Sequence, residues 1–197
     1  MQVIGGQFKR RKLLALPGRS TRPTSGKVRE AVFNICARVV AGARVADLFA
    51  GTGAMGIEAL SRGAAHAVFV ESDRRAADLI KKNLAACRAE DRALVFCRDL
   101  LGNPGFLHQP GRDFDLVFMD PPYNRGAVAP ALENLTKSGA LAPGALAVIE
   151  HAPAESLPPA SGPFEVFDQR KYGKTLVSFM KYMVASKESE PEDGLTA

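Results

Sequence analysis

The sequence predicts an α/β fold: a mostly parallel, doubly wound sheet of seven strands, finished by a C-terminal antiparallel hairpin and preceded by a basic N-terminal arm. Three observations predict it. Short, nearly continuous apolar runs read as strands buried on both faces. Stretches with helical periodicity, long enough to cross over the sheet, separate most of them. The last two strand-like runs are divided by a tight turn alone, which leaves no room for a crossover helix.

Each element follows in order. "TSGKVREAVFNIC" offers Thr24 or Ser25 as an N-cap and then Val28, Val32, Phe33 and Ile35 at helical spacing, so a helix is predicted over about 26–40, presenting Arg29 beside the arm. Beyond the Gly42 break, "ARVADLFA" is a strand, "GIEALSRGA" a helix closed by Gly63, and "AHAVFVES" a second strand. "RRAADLIKKNLAACRA" is the next helix, "ALVFCRD" the third strand, "FDLVFMD" the fourth, "APALENLTKSGAL" a helix and "GALAVIEH" the fifth strand. "FEVFDQRKYGKTLVSFMKYMV" supplies two more strands about a Tyr172-Gly173 turn. "SKESEPEDGLTA" is polar and acidic, the composition of a disordered tail. The expected organisation is an arm over 1–25, one folded domain over 26–185 and the tail over 186–197, with no internal repeat.

With 197 residues and 46% hydrophobic content the chain can bury one full core, which suits a single domain with an appendage better than two domains. Its apolar runs are broken well before the roughly 20 residues of a membrane span, and "MQVIGGQFKR" lacks the apolar core of a secretion signal. A cytoplasmic monomer is expected. Cys36, Cys87 and Cys97 lack metal-ligand spacing and read as reduced packing residues. His66, His108 and His151 are isolated, with packing or surface roles, and no metal site is expected. The +5 net charge is concentrated at one end: residues 1–30 carry eight Lys or Arg against Glu30 alone, which leaves the rest of the chain slightly acidic. Lys9, Arg10, Arg11, Lys12 and Arg22 are the candidate contacts to a nucleic-acid backbone.

The stretch "DLFAGTGAMGIEAL" contains Gly51-x-Gly53-x-x-Gly56, and Glu71 follows twenty residues after the first glycine. Such a turn reports a nucleotide-like ligand at the carboxyl edge of the sheet without naming it. Asp47 separates the possibilities. A carboxylate at the end of the strand feeding the turn repels a pyrophosphate but favours a cation, and S-adenosylmethionine (SAM) carries a sulfonium and an amino group with no phosphate. Glu71 can accept from both ribose hydroxyls, and Asp99 from the adenine amino group. The candidate cofactor set is Asp47, Gly51, Thr52, Gly53, Glu71, Ser72, Asp99 and Leu100.

"DPPY" at 120–123 supplies what methylation of an exocyclic amine needs. Asp120 and the Pro121 carbonyl can accept the two N–H bonds of the amine, orienting its lone pair and favouring the positive charge that develops. Pro121 and Pro122 make a rigid loop without donors, and the ring of Tyr123 can stack on an extruded base. Glu150 ends the fifth strand, where such an acid either faces the pocket or is an ordinary strand-end carboxylate, and Arg125, just beyond the turn, could meet a phosphate.

Taken together, "RPT" at 22–24, "VREAVFN" at 28–34, "DLFAGTGAMGIEALSRGA" at 47–64, "ESD" at 71–73, "DPPY" and "YGKT" at 172–175 resemble the RsmD-type bacterial 16S rRNA (guanine-N2)-methyltransferases over nearly the whole chain except the tail. "DPPY" alone is shared with DNA adenine methyltransferases, so a DNA adenine-N6 or other amino-group methyltransferase is the alternative. The resemblance implies a Rossmann-like class I SAM-dependent methyltransferase acting on one guanine of 16S rRNA in the small ribosomal subunit or its assembly intermediates. It also implies that the segment around Arg22 and Thr24 lies near the cofactor.

Overall fold

The computed structural model describes residues 1–16, 26–123, 125–155, 157 and 162–183. The N-cap candidates Thr24 and Ser25, Arg22 and the acidic tail lie outside the described residues. Among the described residues one seven-stranded sheet runs in the order β3-β2-β1-β4-β5-β7-β6, with β1 Arg44–Leu48, β2 His66–Glu71, β3 Ala93–Cys97, β4 Phe114–Met119, β5 Leu141–His151, β6 Phe164–Tyr172 and β7 Thr175–Tyr182. The first five strands run parallel to one another. β7 then enters antiparallel between β5 and β6, the hairpin that the missing crossover foretold.

Besides α1 (Gly26–Ile35) and α2 (Ala37–Val40), helices α3 (Ala54–Ser61), α4 (Arg74–Cys87) and α5 (Val128–Lys137) make the crossovers and bury their apolar stripes on the sheet. Asp73 caps α4, its carboxylate accepting from Arg75 N and Ala76 N. One helix differs from expectation. The stretch predicted as continuous over 26–40 is α1 followed by a separate turn, α2. Cys36, which leaves helical geometry between them, is completely buried, and the break lets both it and Val40 face the core.

The basic N-terminal segment packs onto the domain. Val3, Phe8 and Leu13 are buried in the core, and the carboxylate of Glu58, fully buried on α3, accepts from Ile4 N and Gly5 N at 2.8 Å each. Arg29 lies beside this segment as expected, and is buried against it: Nη2 donates to the Gln2 carbonyl at 2.6 Å and Nε faces Glu58 at 3.6 Å. Burial holds its guanidinium below the ordinary arginine range, opposed by the Glu58 charge. Asn83, buried on α4, accepts from Leu14 N and donates to the carbonyls of Leu14 and Thr52, so it joins the segment to the glycine turn.

The cysteines divide. Cys36 and Cys87 are buried, with the Cys36 thiol pushed up to about 12 by burial, which makes it inert. Cys97 is exposed, not packed, because β3 is the edge strand and its alternate side chains meet solvent. No helix among the described residues is long and apolar enough to cross a membrane, and none of their His, Cys, Asp and Glu clusters could hold a metal ion.

Candidate active site

The chain runs outward from β1 to β3 and then returns to β4 on the other side of β1, so the sheet has its topological switch point between β1 and β4. Doubly wound sheets bind ligands at such a point. Asp47 stands near the carboxyl end of β1 and Asp120 just beyond β4, and their strands pair directly, Leu48 opposite Met119.

Two acids build the glycine turn. Gly51 N donates to Glu71 Oε2 at 2.9 Å, and the other oxygen of Glu71 accepts from Asp73 N at 2.8 Å. Gly56 N, in the first turn of α3, donates to Asp47 Oδ2 at 2.8 Å. Gly53 starts α3 in the left-handed region (φ 75°), and any Cβ at Gly56 would run into the ring of Phe69 on β2. Phe49 also takes a left-handed backbone (φ 58°), an uncommon conformation for an aromatic residue and a mark of a constrained site.

Asp47 is 4% exposed. Burial, with the Glu71 charge adding to it, pushes its carboxyl up to about 7, against the Gly56 hydrogen bond that favours the ionised form. A phosphate group approaching the start of α3 would meet a donor already taken and a carboxylate in its place. A cation there would instead hold Asp47 ionised.

Across the switch point lies a shallow cleft, open to solvent, lined by Val32 of α1, Met55, Phe118, Met119, Val148 and Val177 and by three carboxylates, Asp47, Asp120 and Glu150. Asp120 has its carboxyl raised well above the ordinary range by burial, then by the Glu150 and Asp47 charges. Pro121 is buried and Pro122 exposed. Tyr123 is 38% exposed, while its hydroxyl donates to Glu150 Oε1 at 2.6 Å and lies 3.1 Å from Thr175 Oγ1.

Of the remaining candidates, Thr52 is part of the turn, its carbonyl accepting from Asn83. Ser72 is exposed beside Glu71. Asp99 is exposed beyond β3, with Oδ1 accepting from Leu101 N at 2.9 Å, and Leu100 is a core residue whose carbonyl accepts from Asn134 Nδ2 at 3.0 Å. These positions follow the sheet edge through β2 and β3, on the other side of the turn from the cleft. Lys9, Arg10, Arg11 and Lys12 are exposed, and Arg11 Nη1 donates to the Ala86 carbonyl at 2.6 Å. Arg125 is exposed, two residues beyond Tyr123.

Glu150 is the residue that sequence reasoning undervalued. It occupies a strand end like Asp47 and Glu71, and the fold turns that end into the cleft. Thr175 stands out in the sequence only as the last letter of "YGKT". Its place beside Tyr123 depends on the antiparallel return of β7 along β5.

Residues 1–181 match the family described as Conserved hypothetical protein 95. The chain belongs to this family. Within it the chain is 34% identical over 192 residues to ribosomal RNA small subunit methyltransferase D of Escherichia coli, covering 98% of this chain and 92% of that protein. It is 36% identical over 184 residues to YlbH of Bacillus subtilis, named there as a proposed rRNA methyltransferase, covering 92% of this chain and 98% of that one. The solved structure of yhhF, a proposed methyltransferase of Escherichia coli, superposes with a TM-score of 0.81 at 36% identity over 93% of this chain and 98% of that chain. As a Conserved hypothetical protein 95 member the chain is a methyltransferase with the class I, SAM-dependent architecture.

Proposed function

We propose that this chain transfers the methyl group of SAM to the exocyclic N2 of a guanine in 16S rRNA, acting as a cytoplasmic monomer on the small ribosomal subunit or an assembly intermediate of it. The observation that carries the reading is the meeting of Asp47, gripping the glycine turn, with Asp120 in one cleft at the switch point. The relatives named as small subunit rRNA methyltransferases support the substrate class.

The donor set suits the cofactor. A buried acid poised near neutrality is ready for a cationic group, Glu71 retains acceptor capacity on both oxygens for ribose hydroxyls, and Asp99 serves the adenine edge. SAM, when bound, supplies an electrophilic methyl on a positively charged sulfur. The protein's own groups do the rest. Ionised Asp120 and the Pro121 carbonyl accept the two N–H bonds of the target amine, which turns its lone pair away from conjugation with the base. Tyr123 presents a ring for the extruded base to stack on, a contact worth roughly 1–3 kcal/mol. After transfer the nitrogen bears a positive charge and is acidic enough to lose its proton without a strong base. Lys9, Arg10, Arg11, Lys12 and Arg22, with Arg125 beside the loop, contact RNA phosphates.

Two measurements test this. Calorimetry should detect SAM and S-adenosylhomocysteine binding and no NAD binding; the reverse would discard the cofactor assignment. Labelled SAM should then modify small subunits lacking the methyl group, while label transferred preferentially to duplex DNA would discard the substrate.

A further inference from the structure

We infer that Glu150 and Thr175 are positioning residues that fix the Tyr123 ring as a preformed stacking platform for the target base. The inference rests on the proposed function and deepens it. A tyrosine at the tip of a loop ordinarily spreads its ring over several rotamers, and ordering it upon binding lowers affinity or rate. Here the phenol is held from two directions. Its O–H donates to Glu150 Oε1 at 2.6 Å, the length of a charge-assisted bond, and Thr175 Oγ1 stands 3.1 Å away. Burial first, then the bond to Glu150, holds the phenol's ionisation above the ordinary tyrosine range, so it remains a donor wherever the enzyme works.

The two anchors come from different strands. Glu150 ends β5, and the antiparallel register that sets Glu150 opposite Val177 and His151 opposite Leu176 leaves Thr175 at the start of β7, next to the "DPPY" loop. The Tyr172-to-Thr175 hairpin turn fixes that start. Thus the antiparallel hairpin, which departs from the parallel winding, brings one of the anchors. The residue itself stays 38% exposed, so it remains accessible to a base while the anchors take the hydroxyl.

The test uses the full chain with labelled SAM and small subunits from a strain lacking the enzyme. Tyr123→Phe keeps the ring and removes the hydroxyl; Thr175→Val keeps the shape and removes one anchor. Each should lower kcat by roughly 10- to 100-fold, the scale of a misplaced reacting group, while the KM for SAM stays within about twofold. The double variant should be no slower than the worse single one, because both break one device, and Thr175→Ser should restore the rate. Tyr123→Phe at the wild-type rate, or a double variant slowed by the product of the single effects, would overturn the lock alone. Wild-type protein unable to methylate subunits would overturn the functional reading and the lock with it.

Discussion

In the proposed mechanism Asp120 acts in its ionised form, which both accepts from the amine and favours the positive charge that develops on it, yet burial, Glu150 and Asp47 all favour its protonated form. The proposed mechanism therefore predicts that kcat/KM climbs with pH on the acid side, with its midpoint well above that of a free aspartate. Glu150→Gln removes a like charge while its amide oxygen can still accept from Tyr123, so the limb should move to lower pH; an unmoved limb would remove Asp120 as the titrating group. Asp120→Ala should reduce transfer at least 100-fold, roughly the effect of removing one transition-state interaction, and leave SAM affinity nearly intact by calorimetry. Asp47 makes the opposite trade. Its carboxyl sits at about 7 against an ordinary 3.8, so its contribution to stability is full below the unfolded value and is lost as pH rises through 7. Asp47→Asn keeps an acceptor for Gly56 N but no charge. It should stabilise the cofactor-free protein by about 1–3 kcal/mol at pH 8, with the gain closing toward pH 4, and weaken SAM binding about tenfold or more. Thermal melting at the two pH values, with calorimetry, checks both halves. Asp47 and Asp120 were legible because each closes an apolar run next to a glycine or proline turn. Glu150 was not, because a strand-end carboxylate reads the same whether it faces a cleft or water.

The sequence rendered strands and crossover helices well wherever one apolar run did one job, as in β1, β2 and β4. It did not show the break at Cys36, where no glycine or proline interrupts the pattern and tertiary burial of Cys36 and Val40 decides. Nor did it show the docking of residues 1–16, since the groups that receive them, Glu58, Ser61 and Asn83, stand more than fifty residues away in sequence. Charge alone was visible there. Glu58 holds two backbone N–H groups and Arg62 Nε at 2.8 Å, and faces Arg29. Glu58→Gln leaves Arg29 buried without its countercharge and should cost about 3–5 kcal/mol, with amide exchange at Ile4 and Gly5 accelerating before that of the sheet. Equal protection in the variant would show that the carboxylate does not hold the segment. In the glycine turn, Gly56→Ala forces a methyl into Phe69 and should cost about 1–3 kcal/mol by chemical denaturation, more than an alanine at an exposed helix site.

Across the whole molecule, exposed cations on a docked N-terminal segment stand apart from a near-neutral sheet domain. Replacing Lys9, Arg10 and Lys12 with glutamine spares the Arg11 bond to Ala86. It should flatten the salt dependence of RNA binding by roughly 0.7 log units for each phosphate no longer neutralised, the single-strand value; an unchanged slope would show that these side chains are merely solvated. The chemistry at Asp120 would serve adenine N6 as readily as guanine N2, since both are conjugated amines, and only the product distinguishes them. Nucleoside mass spectrometry of small subunits from a strain lacking the enzyme, treated with SAM and either the wild-type protein or Asp120→Ala, tests the central claim most directly. The account predicts N2-methylguanosine at a single 16S rRNA site with the wild type and none with the variant. N6-methyladenosine, or N2-methylguanosine formed equally by both proteins, would contradict it.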